Sequence, residues 1–174
     1  MALDQTTVCF PANIVNLLAE GLQFIDPHTD PDKKDGVRIY KRPLMTTDAS
    51  ESIGVVATNW GPVLSSTEMR GGPFEPTLQR YTVAIQAMVK DAEEERAIAV
   101  HSLLSAKVRH MLYHDPALAV ALPQLQVSFD TFAGVTVEKL MKWNITSQNF
   151  MNHEVKGRFV YLSTLEVVAE TALQ

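Results

Sequence analysis

"QRYTVAIQAMVKDAEEERAIAVHSLLSAKVRHML", residues 79–112, changes its hydrophobic period once. From Tyr81 to Val89 every odd position is apolar, while Arg80, Thr82, Gln86 and Lys90 alternate with them, the period-two pattern of a half-buried strand. After Asp91 a helical period begins, with Ala97, Val100/His101, Leu104, Val108 and Met111 as its apolar stripe. Asp91 is placed as an N-cap with Glu94 three residues on, an approximate capping box. Glu93, Glu94 and Glu95 suit the first turn of a helix and Lys107, Arg109 and His110 lie toward its end, as the dipole favours. A one-sided strand running into a one-sided helix predicts a helix laid back across a sheet. The junction is architectural.

Working outward, Pro11 is suited to a first helical turn, and Ile14, Val15, Leu17, Leu18, Leu22 and Ile25 predict a helix over 11–24. "DPHTDPDKKDG" breaks it. "VRIYKR" (37–42) and "SIGVVAT" (52–58) read as short strands, and the link between them is too short for a crossover helix, which predicts an antiparallel pair. Residues 59–76 lack periodicity yet carry Trp60, Val63, Leu64, Met69 and Phe74. Loops of such length are commonly functional. This one is expected to cover its own core or to pack on a neighbouring subunit. After Asp115-Pro116 and a short helical piece, "LQVSFDTF" (125–132), "VEKLMKWNITSQNF" (137–150) and "GRFVYLSTLEVVAET" (157–171) read as strands. The last is apolar on both faces, with Val160 and Leu162 on the second, and is expected to be central or covered by a partner. The sum is one α+β domain over residues 1–174: a mixed, mainly antiparallel sheet against a long central helix and an N-terminal helix.

Composition bounds the function. A chain of 174 residues with 46% hydrophobic content buries a sufficient core without staples, and the single cysteine, Cys9, excludes an internal disulfide. A net charge of −5 argues against a duplex-binding surface. No apolar run is long enough to cross a membrane as a helix, and "MALDQTTVCF" lacks the pattern of a signal peptide, so a soluble, intracellularly made chain is expected.

The patterns that carry chemistry are incomplete. His110 and His114 have zincin spacing, but Met111 stands where the general base belongs. Asp26, Asp30, Asp32 and Asp35 are interrupted by Pro31, and the twelfth position counted from Asp30 is Lys41 rather than Glu. Gly71-Gly72 starts no phosphate loop, Asn144 heads a sequon inside a strand, and Cys9 has no nucleophile signature around it. The expectation is a non-enzymatic protein with no metal and no cofactor.

The order of elements, carried by "LQRYTVAIQAMVKDAEEERAIAVHSLLSAKVRHMLYHDPAL" (78–118) and "VEKLMKWNITSQNFMNHEVKGRFVYLSTLEVVAE" (137–170), resembles the tail terminator (tail completion) proteins of siphophages, especially those of actinobacteriophages. That resemblance implies a homohexameric ring in the neck region of the virion tail. The ring would cap the tail tube protein, stop its polymerisation, and offer a docking surface to the head–tail connector or head-closure protein. Genomic DNA would pass through the lumen without specific binding, and no catalytic residue carries over. A ring needs two different patches that meet between identical neighbours. Trp60, Val63, Leu64, Met69 and Phe74, with Val160 and Leu162, are the expected halves of that contact. Another neck or tail component, such as a head-closure or tail-tube protein, is the structural alternative; a small enzyme or ligand-binding domain is the other.

Overall fold

A computed structural model of the chain describes residues 10–22, 37–62, 78–114, 126–131 and 134–173. In chain order these form α1 (Phe10–Leu22), β1 (Arg38–Tyr40), β2 (Glu51–Pro62), β3 (Leu78–Asp91), α2 (Glu94–His114), β4 (Gln126–Thr131), β5 (Gly134–Val155) and β6 (Arg158–Leu173). The six strands make one sheet in the order β1-β2-β3-β6-β5-β4. The fold is α+β, and β6 is central, between β3 and β5, as its two apolar faces predict.

The alternation over residues 81–89 is the centre of this arrangement. Tyr81, Val83, Ile85, Ala87 and Val89 are buried on the helix side and face Ala169, Val167, Leu165, Ser163 and Tyr161 across the β3–β6 ladder. α2 lies on this face, against β3 and β6, through Ala97, His101, Leu104, Ser105, Val108 and Leu112. α1 covers β2 beside it with Ile14, Leu18 and Leu22, all fully buried. The buried stripe of α2 includes Leu112 and leaves Met111 half-buried at its border, one position on from the stripe the sequence suggests.

Four boundaries differ from the sequence reading, each for a physical reason. β1 and β2 pair in parallel, with Arg38 opposite Ser52 and Tyr40 opposite Gly54, rather than antiparallel. β1 has only three residues, so an extended segment suffices to return the chain to its starting end, and no crossover helix is needed. That segment, residues 41–50, crosses the face of the sheet opposite the helices. It is fastened there by Leu44 N–H donating to Gln86 Oε1 at 2.9 Å, Lys90 N–H to the Ser50 carbonyl at 2.8 Å, and the Lys90 ammonium to the carbonyls of Thr46 and Asp48. Within it, Arg42 grips the Asp48 carboxylate through both terminal nitrogens, at 3.0 and 2.6 Å, while its guanidinium stacks 4.5 Å over the Tyr40 ring. The Arg42 bonds hold the Asp48 carboxyl below the ordinary carboxylate range, and burial pushes the Lys90 ammonium down.

Second, β2 continues through Trp60 to Pro62, pairing with β3 past a bulge between Ala57 and Asn59, so the aperiodic segment starts after residue 62. Third, β5 and β6 form one long hairpin closed by Lys156-Gly157. Their φ values of 52° and 73° are the positive pair that a two-residue hairpin turn requires. Two register shifts in β5, between Leu140 and Lys142 and between Ile145 and Ser147, put Met141 out of step with Trp143 and Ile145.

The fourth concerns the strand-to-helix junction. Ala97 N–H donates to the Glu93 carbonyl at 3.0 Å, so Glu93 rather than Asp91 holds the cap position. Asp91 supports the junction from outside: its carboxylate accepts from the Glu93 N–H at 3.0 Å and pairs with Arg96 at 3.2 Å. Asp91→Ala is expected to cost about 1 kcal/mol, the usual size of one lost hydrogen bond to a backbone N–H, read as a lowered denaturant midpoint.

Candidate subunit interface

The residues expected to form a subunit contact fall in different places. Trp60 lies on β2 opposite Tyr81. Val63, Leu64, Met69 and Phe74 lie outside the described residues. Val160 is 1% exposed on the face away from the helices, between Lys90 and His153, so its own subunit already takes up its surface. Leu162 is half-buried in the same row as Met88 and Met151.

The structure presents a different apolar edge. β4 pairs with β5 only from Gly134 to Lys139. Among the described residues, Leu140–Val155 has no strand on its outer side, and it is where three large apolar side chains are exposed: Met141 at 60%, Phe150 at 65% and Met151 at 62%. Phe150 projects toward the helix side, edge-on to the His101 ring at 6.0 Å, whereas Met151 points to the opposite face. α2 rests on β3 and β6, so Trp143 and Ile145 on the helix side of β5 are only partly covered. An unpaired strand edge with exposed apolar residues on both faces is a template for association unless something blunts it. The two β5 bulges do blunt its upper half. Phe150 and Met151 stand below them. The signal was present in the sequence as the apolar pair in "QNFMNHE", residues 148–154, set among polar residues.

On the sheet face away from the helices, cross-strand partners Arg80, Glu170 and Lys142 form a row of alternating charge, with Arg80 bonded to Glu170 at 2.7 Å. They border a shallow open groove of about 250 Å³ with Asn144, Thr146 and Val168. Ser147 donates to Glu166 at 2.7 Å in a neighbouring row. These groups meet one another's charges, and the groove brings together no nucleophile with a base.

Beneath α2 lies a buried polar cluster. His101, 4% exposed, sits between the rings of Phe150 and Tyr161, with Ser105 Oγ 3.4 Å from its Nε2 and Ser105 in turn 2.9 Å from Ser163 Oγ. A ring N–H faces the Ala87 carbonyl. Burial holds the His101 imidazole below its ordinary pKa, outweighing that bond. Tyr161 donates to Glu94 at 2.9 Å. His110 and His114 stack 4.8 Å apart at the exposed end of α2, and no group of three His, Cys, Asp or Glu side chains gathers as a metal site among the described residues. No described helix is long and apolar enough to cross a membrane. No protein-family model matches the chain, and no curated protein does.

Proposed function

We propose that this chain is the subunit of a closed ring that ends a phage tail tube, a tail terminator with a structural role and no catalytic one. The reading rests on one observation. The two stretches that carry the resemblance, 78–118 and 137–170, are separated in sequence yet supply β3, β5, β6 and α2, the adjacent strands and the helix laid across them. The resemblance therefore concerns one contiguous module rather than scattered segments. The exposed apolar edge of β5 supports the same reading, because a ring subunit must offer its neighbour a patch that its own core leaves uncovered. In this reading one face of the ring meets the tail tube protein, the other the head connector, and the genome crosses the lumen without specific contacts.

Negative-stain images of the purified full chain test the reading. Closed rings are the expected result; filaments would favour a tube protein, and uniform single particles would remove the ring. Phe150→Asp is the accompanying variant. Phe150 is already largely exposed, so the subunit is expected to remain folded, with a modestly lowered midpoint from the lost edge contact with His101. A charge placed in a desolvated contact costs enough to abolish one, so the oligomer is expected to fall to monomer by light scattering. An unchanged oligomer would show that the contact lies elsewhere.

A further inference from the structure

Among the described residues few buried polar side chains lie between the helix layer and the sheet: Thr171 stands toward the far end of β6, and the other three gather at one place. Ser105 and His101 of α2 meet Ser163 of β6, while His101 also meets Ala87 of β3 and lies against Phe150 of β5. A single imidazole thus touches all three strands under the N-terminal half of α2. We propose that this seam is an acid-opened latch: a proton taken up by His101 releases the first half of α2 from β3 and β6.

The hydrogen bonds alone do not make the latch. In the neutral tautomer whose N–H donates to the Ala87 carbonyl from the other nitrogen, Nε2 is left to accept from the Ser105 hydroxyl 3.4 Å away. On protonation Nε2 becomes a donor, and Ser105 can turn its hydroxyl hydrogen to Ser163 Oγ, 2.9 Å away, so the chain of bonds is reversed and kept. The charge is what the site cannot hold. Around the ring, β3 offers a carbonyl, β6 a serine and Tyr161, and β5 the phenyl ring of Phe150. The carboxylate of Glu94 on α2 is engaged by the Tyr161 hydroxyl. Of the other charged positions near the seam, Arg96 is paired with Asp91, Lys90 is held by the segment over the far face, Glu166 receives Ser147 on that same face, and Glu93, Glu95, Lys107, Arg109 and Arg158 are exposed. Glu154 and His153 of β5 are exposed. An imidazolium at His101 would be desolvated without a directly bonded counter-ion.

The direction follows from linkage. The folded seam keeps His101 neutral, while the opened seam exposes an imidazole of ordinary pKa, 6.5. Above that value both states are neutral and the seam is fully closed. As pH falls below it only the opened state takes up the proton, so closure weakens until the folded pKa is reached. Each unit by which the fold depresses the pKa weakens closure about tenfold.

Hydrogen exchange of the full chain between about pH 8 and pH 5, corrected for intrinsic rates, reads this directly. Peptides covering 94–105 are expected to lose protection as the pH drops through the mid-sixes, while those of the β2–β3 ladder keep theirs. His101→Gln, which retains a donor and an acceptor but does not titrate, is expected to remove that loss. Equal loss in His101→Gln, or protection of 94–105 that does not vary with pH in the wild type, overturns the proposal. An NMR titration of the wild-type imidazole needs no variant: a midpoint at or above 6.5 overturns it as well.

Discussion

Leu112→Ala will destabilise the subunit by about 2–5 kcal/mol, and Met111→Ala by clearly less. Both residues are in the last turns of α2, and helical spacing in the sequence assigns Met111 to the buried stripe. The fold buries the other one: Leu112 is 2% exposed within the core cluster, and Met111 is a half-buried neighbour at its border. Truncating Leu112 removes packed carbon atoms and leaves a cavity where α2 passes over the sheet, which rigid neighbours fill only in part. Truncating Met111 exposes a flexible side chain's footprint to water and leaves little void. Denaturant unfolding of the two variants separates these outcomes. Equal losses would mean that α2 is rotated relative to the sheet by a substantial part of a turn.

That one-residue difference shows where sequence reading reached its limit. The period-two run through Tyr81–Val89 and the helical run after Asp91 make β3 and α2 legible directly, since every odd position of β3 from 81 to 89 is buried, although Ala84 and Met88 are buried on its other face as well. The centrality of β6 was legible from Val160, Leu162 and Val168 opposite Phe159, Tyr161, Leu165 and Val167. His101 and Ser105 blur the stripe of α2, because these two polar residues occupy core positions by bonding to each other while Ser105 bonds Ser163, 58 residues away. No local pattern reports such a contact. The direction of β1 is hidden for a related reason: three residues are too few to reveal it, and the parallel pairing depends on where residues 41–50 cross the sheet. For the candidate interface, large apolar residues in an aperiodic segment point to Trp60, Val63, Leu64, Met69 and Phe74, whereas the apolar pair Phe150-Met151 does not by itself tell which part of a strand is left uncovered. Whether a strand residue is covered depends on which strands the described helices rest on, β2, β3 and β6, a tertiary fact.

Gly54→Ala will cost about 1–3 kcal/mol and loosen the segment over the far face of the sheet. The residue lies in β2 beside β1, and a methyl group built on it would stand 2.7 Å from the Arg42 carbonyl oxygen and 2.9 Å from Leu44 Cγ. A leucine side chain could give way, but the Arg42 carbonyl is backbone. It belongs to a segment fixed by the Arg42–Asp48 grip and by Leu44 N–H on Gln86. Relief therefore requires the segment to lift, which lengthens the Leu44–Gln86 bond and draws the Thr46 and Asp48 carbonyls away from Lys90. Lys90 supplies a second readout. Burial lowers its pKa and the Asp48 charge opposes that effect, so displacement that admits water should move the Lys90 titration back toward the ordinary lysine value. The expected result is a lower denaturant midpoint together with faster exchange of the Leu44 and Lys90 amides, and the hydrogen bonds under α2 unaffected. An unchanged midpoint would show that residues 42–44 do not lie against β2. A loss spread equally over α2 would show that the two faces of the sheet unfold as one unit.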